Sequence, residues 1–210
     1  MRNVGMIALA LVASTSLIVG QQQRPASPPG SAATVVGGKY VKTERGQRYE
    51  GGKWIEITYS RPILRGRTGV FGSDADYGKT LYAGAPVWRA GADVSTRLKT
   101  EVPLEIGGKT VAPGEYSLFV ELKGEKEWNL IVSSHAAQQK YDPKNKEALW
   151  GSYEYTPDKD VTRAPMKVET ISFAVDQLTW GFTDVGNTGG TIRLWWEKNM
   201  ASVPFRVATS

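Results

Sequence analysis

The sequence predicts an all-β protein, an antiparallel sandwich of about eight to ten strands preceded by an N-terminal signal helix and a linker. Three observations carry that prediction. From Val35 onward apolar residues alternate with polar ones at a period of two. Glycine and proline interrupt the runs at short intervals, and no long stretch shows the 3.6-residue apolar period of a helix. With 210 residues, of which 40% are apolar and 22% charged, the chain can bury one sizeable core.

The elements follow in order. The opening MRNVG carries one positive charge, and the uncharged, small-residue-rich apolar stretch from Met6 to Gly20 follows. That is the build of an export signal, and it falls short of the ~20 apolar residues a spanning helix needs. Residues 1–20 are therefore expected to be a signal peptide. Residues 21–33, rich in Gln, Pro, Ser and Ala, read as a flexible linker, and 34–210 as a single β-sandwich domain. In WIEITYS, Ile55, Ile57 and Tyr59 point one way while Trp54, Glu56 and Thr58 point the other. Gly107 and Gly108 form a two-residue hairpin turn, because adjacent glycines accept the positive φ angles of a primed turn. Pro113 and Gly114 make the next turn.

The clearest hairpin pairs EYSLFVEL with EWNLIVS. Tyr116, Leu118, Val120 and Leu122 share one phase, Ser117, Phe119 and Glu121 the other, and Trp128, Leu130 and Val132 answer from the returning strand. Further strands are expected over residues 149–155, 170–175, 179–184, 191–197 and 203–207. Residues 133–148 break the alternation and read as a long loop that exposes His135 to solvent.

Composition narrows the function. There is no cysteine, so disulfides, thiolate metal sites and a Cys nucleophile are excluded. His135 is the single histidine, which removes multi-His metal centres, and no G-x-S-x-G elbow supports a serine hydrolase. Asp74 and Asp76 have the alternate spacing of a calcium loop without its remaining ligands. No metal or cofactor is expected. The net charge of +5 is spread among interspersed acids and bases, so no nucleic-acid partner is expected, nor any membrane span once the signal is removed.

The densest set of strong hydrogen-bond donors is Arg65 and Arg67 in RGR together with Trp88, Arg89 and Asp93 in VWRAGAD. Guanidinium groups present planar, two-pronged donors to carboxylates, phosphates or sugar hydroxyls. If the two loops meet at one end of a sandwich, these five residues form a ligand site. The structural alternative is that Arg89 and Asp93 pair with neighbours to fix loop shape. Trp128 and Trp196 are in phase with aliphatic core residues, whereas Trp54 and Trp195 are the expected surface aromatics, where a sugar ring could stack.

YSRP (Tyr59–Pro62), RGR (Arg65–Arg67), VWRAGAD (Val87–Asp93), GGKTVAPGEYSLF (Gly107–Phe119), WGSYEY (Trp150–Tyr155) and LWWEK (Leu194–Lys198) resemble, in order and spacing, the DUF2911 family of bacterial domains of unknown function. The resemblance covers residues 34–208. It departs in an insertion before WIEITYS, a longer YGKTLYAGAPVWR segment and an expanded loop around His135. It implies an exported, mostly β fold and supplies no activity. The sequence thus points to a periplasmic or secreted, non-catalytic envelope protein that binds a glycan, a small anion or another protein. The alternative is a glycan hydrolase with paired carboxylates, Glu154 and Glu197.

Overall fold

The computed structural model describes residues 25–138, 152 and 155–209. The expected signal peptide, most of the 133–148 loop and, apart from Ser152 and Tyr155, the strand expected over 149–155 lie outside them. Eleven strands are described: β1 (Pro29–Val36), β2 (Lys39–Thr43), β3 (Gly46–Glu50), β4 (Lys53–Ser60), β5 (Thr96–Thr100), β6 (Leu104–Ile106), β7 (Lys109–Val111), β8 (Gly114–Gly124), β9 (Glu127–Ser133), β10 (Asp160–Gly186) and β11 (Gly189–Val207). Nine of them pair antiparallel in the order β1-β4-β5-β8-β9-β10-β11-β6-β7, and β2 pairs only with β3.

The sheet becomes a sandwich because β10 belongs to both layers. Its start, Asp160–Met166, pairs with β9, and its later part pairs with β11 from Lys167 to Gly186. Between those layers lies one apolar core, with Ile57, Leu98, Leu118 and Leu130 facing Ile106, Trp180, Ile192 and Phe205. Cross-layer bonds hold the register. Thr162 Oγ1 donates to the Ile106 carbonyl at 2.9 Å, and the Trp180 backbone N–H donates to Tyr59 Oη at 3.0 Å.

The predicted turns and phases match this architecture. Gly107 and Gly108 take φ of 60° and 76° between β6 and β7, and Ile55, Ile57 and Tyr59 are buried while Trp54 is exposed. Four readings change. β1 begins at Pro29, so the last five residues of the expected linker form a strand paired to β4. The runs at 170–175 and 179–184 are one strand, as are those at 191–197 and 203–207. Bulges take the place of turns there: register shifts fall between Thr170 and Val175 and between Val175 and Thr179, and opposite them Glu197 adopts φ 54°. Phe119, on the polar phase of β8, is fully buried, because Val87, Ile131 and Tyr155 form a second apolar cluster on that face.

His135, expected in solvent, is also buried. Its ring lies 6.3 Å from Phe119 and 6.5 Å from Tyr155, and its carbonyl accepts a hydrogen bond from Ser117 Oγ at 2.8 Å. The local polarity of the segment signalled exposure, and tertiary cover from a distant part of the chain overrode it.

Candidate functional site

The RGR loop follows β4 and is tied to β10. Leu64 N–H donates to the Asp176 carbonyl at 2.7 Å, and Leu178 N–H donates to the Pro62 carbonyl at 3.0 Å. Arg65 and Gly66 take positive φ of 49° and 80°, which turns the chain so that Arg67 folds back over its own loop. The Arg67 Nε–H donates to the Leu64 carbonyl at 3.0 Å and its Nη2 to the Ile63 carbonyl at 2.8 Å. Arg65 reaches the other way, donating to the Ala26 carbonyl at 3.1 Å.

The VWRAGAD loop is placed by strand pairing. β5 ends its pairing with β8 at Thr96 opposite Leu118, and beyond it Trp88 takes over the vacant edge. Trp88 exchanges two backbone hydrogen bonds with Val120, at 3.0 and 2.7 Å. Ala90 then adopts φ 48°, with its carbonyl held by the Trp180 indole N–H at 2.9 Å and Thr96 Oγ1 at 3.2 Å. Gly91 is required beside it, since a Cβ there would come 2.7 Å from Thr96 Oγ1. The result is that Arg89 is buried in the wall of the loop.

Between the two loops lies a cleft of about 200 Å³ whose lining includes Pro62, Arg67, Leu81, Trp88, Arg89 and Trp196. Its floor is aromatic. Trp88 and Trp196 stack at 6.0 Å with planes 18° apart, and Phe71 stands edge-on to both while stacking on Trp128. The Trp196 indole Nε1 is buried and has no hydrogen-bond partner among the described residues. An unsatisfied buried donor costs about 1–3 kcal/mol.

Of the five residues singled out from sequence, Arg67, Trp88 and Arg89 thus line one cleft. Arg65 and Asp93 do not line it; Asp93 occupies the next left-handed turn, at φ 58°. Trp196 was assigned to the core on its phase alone. It is buried as expected, and it also lines the cleft, a tertiary placement that periodicity does not reveal.

The sides of the cleft rest on tyrosines. The short helix α1 (Lys79–Tyr82) is latched to β8 by Tyr82 Oη, which donates to the Leu122 carbonyl at 3.1 Å. Tyr77 Oη accepts the Trp128 indole N–H at 3.0 Å, and burial pushes its pKa up to about 12. Burial also raises Tyr82. Because the folded state disfavours the phenolate, these tyrosines' contribution to stability should be constant below the ordinary tyrosine pKa near ~10 and fall as pH rises from there towards 12. Urea unfolding at pH 8 and pH 11.5 measures the loss. Tyr77→Phe should lower stability at pH 8, by leaving the Trp128 N–H unpaired, yet make it less sensitive to alkali.

Other candidate chemistry disperses. Asp76 pairs with Lys79 at 2.7 Å, whose ammonium lowers its pKa, and among the described residues no group of three acids or histidines is placed to hold a metal ion. The Glu197 carboxylate accepts the Gly69 N–H, and Glu154 lies outside the described residues. No helix among the described residues is long and apolar enough to cross a membrane.

The family model for a protein of unknown function, DUF2911, matches residues 42–205. The chain belongs to the DUF2911 family. No curated protein and no solved structure matches it. For this DUF2911 chain, the geometry of the cleft is therefore the main guide to activity.

Proposed function

We infer that this DUF2911 protein is a non-catalytic binding domain of the cell envelope, taking a small carboxylate- or phosphate-bearing molecule in the cleft between the RGR and VWRAGAD loops. What carries the reading is one juxtaposition: buried Arg89, Arg67 and Trp196, whose indole N–H has no partner among the described residues, line the same cavity, and none of its described lining residues is acidic. Donors fixed on a rigid floor bind an anion without having to be reorganised, and Trp88 and Trp196 give the ligand an apolar flank. The charged, then apolar N-terminus supports a location outside the cytoplasm.

The test uses the mature protein recovered from the periplasm or medium of expressing cells, where the reading expects it. Titrate it with inorganic phosphate, malonate, galacturonate and glucose while following indole ¹H–¹⁵N signals. At least one anion should shift the Trp196 resonance, with glucose inert. Arg89→Met should weaken that anion by about 10–100-fold, the worth of a charged hydrogen bond. An indole spectrum indifferent to every anion would refute the reading. So would an Arg89→Met protein that melts earlier yet responds to anions unchanged.

A further inference from the structure

The β2–β3 hairpin pairs with no other strand, and an isolated two-stranded hairpin is marginal in water. Tyr49 anchors it. Its hydroxyl accepts the Gly38 N–H at 3.0 Å, and its ring fills the space where side chains at Gly38 and Gly52 would stand; a Cβ on Gly52 would come 2.6 Å from Tyr49 Cε1. The same hollow over Gly52 holds a methyl of Val35, and Val35 is the cross-strand partner of Trp54. On the hairpin's other side Tyr40 lies directly opposite Tyr49, edge to face at 5.2 Å.

Tyr40, Tyr49, Val35 and Trp54 therefore form one strip running across β2, β3, β1 and β4. Tyr40 is 71% exposed, Tyr49 38% and Trp54 55%. None of these residues lines the Arg89 cleft. On the strip's own face Lys42 follows Tyr40 at the two-residue spacing and exposed Arg45 stands in the turn, whereas the exposed Lys39, Arg48 and Lys53 lie on the alternate phase of their strands. The nearby acids lie mostly towards the Trp54 end: Glu50 pairs with Arg48, Glu44 sits in the hairpin turn, Glu56 shares the face of Trp54 opposite Lys99, and the Glu101 carboxylate accepts the Trp54 backbone N–H at 2.9 Å.

We propose that this strip binds an acidic polysaccharide laid across the strands. Flat aromatic faces in a row cover the apolar C–H faces of successive sugar rings, and the surrounding ammonium and guanidinium groups meet their carboxylates. At the hairpin end, Lys42 on the face of Tyr40 and Arg45 in the turn favour an anionic polymer over a neutral one. The placement argues against a bilayer, because a membrane-inserting hairpin carries its aromatics at the projecting turn, and here that turn holds Glu44 and Arg45.

The experiment is electrophoresis of the full chain through gels containing polygalacturonate or neutral dextran, with sedimentation against phosphatidylglycerol vesicles alongside. Polygalacturonate should retard the protein, less so at high salt, and dextran should not. The Tyr40→Ala, Trp54→Ala double variant should weaken retardation about tenfold with an unchanged melting temperature, since both rings are exposed. Lys42→Glu with Arg45→Glu should weaken it too, and Arg89→Met should leave it intact. No retardation in polygalacturonate, equal retardation in dextran, or retention in the aromatic double variant would overturn the proposal. Loss with Arg89→Met would overturn it by moving the polymer to the cleft, and vesicle binding without polygalacturonate binding would assign the strip to a membrane.

Discussion

Trp180→Ala should destabilise the protein by about 3–5 kcal/mol, the range for truncating a buried aromatic, and lower its melting temperature by roughly 10 °C. Trp180 is 2% exposed at the centre of the core, where few neighbours can collapse into the space its ring leaves. The residue also works outside the core. Its indole N–H holds the carbonyl of Ala90, whose backbone sits in the left-handed region at φ 48°, and so restrains the loop that carries Arg89. Hydrogen exchange in residues 88–93 should rise in the alanine variant beyond what the global loss accounts for. Trp180→Phe separates the two effects: it keeps most of the apolar volume and loses the N–H, so the loop should loosen at a global cost of only about 1–2 kcal/mol. An alanine variant within about 1 kcal/mol of the parent in urea unfolding would contradict this account of the core.

Gly107→Ala should be the more severe of two adjacent glycine substitutions, costing about 2–4 kcal/mol against about 1 kcal/mol or less for Gly108→Ala. Both residues have positive φ, so both carry the backbone strain. Only Gly107 is crowded as well. A Cβ there would lie 2.7 Å from Ala164 Cβ and 3.0 Å from Ala164 Cα, whereas nothing lies within 4 Å of one on Gly108. Ala164→Gly should therefore recover part of the Gly107→Ala loss and do nothing for Gly108→Ala. Denaturant midpoints across the two double-mutant cycles give the answer. Equal losses at the two glycines would show that strain alone decides, and that the β6–β7 hairpin does not press on β10 as described.

What could be read in advance follows from where each signal lies. Gly107-Gly108 and the paired phases of β8 and β9 are local, so a window of ten residues contains them. The fusion of two expected strands into β10 was invisible because its bends are made by bulges around Ile171–Val175 without the glycine or proline that announces a turn. His135, read as exposed, is buried for the opposite reason: its cover includes Phe119 and Tyr155, which no local pattern connects to it. The cleft was half legible. Arg-bearing loops rich in glycine marked Arg67, Trp88 and Arg89, but the direction of Arg65 depends on the Ala26 carbonyl, and the second aromatic wall, Trp196, arrives from a strand more than a hundred residues later.

The pairing of β6 with β11 has a consequence for the order of assembly. Leu104 and Ile106 find their partners in Val207 and Phe205, across about a hundred residues of chain. Contacts so distant in sequence are slow to form, since the entropy of closing the loop precedes any gain from pairing. A nascent chain lacking residues 205–207 can build the β8–β9 hairpin, but Leu104 and Ile106 lack their β11 partners. The second layer closes last, when β11 is complete, so the finished fold is withheld until synthesis has passed Val207.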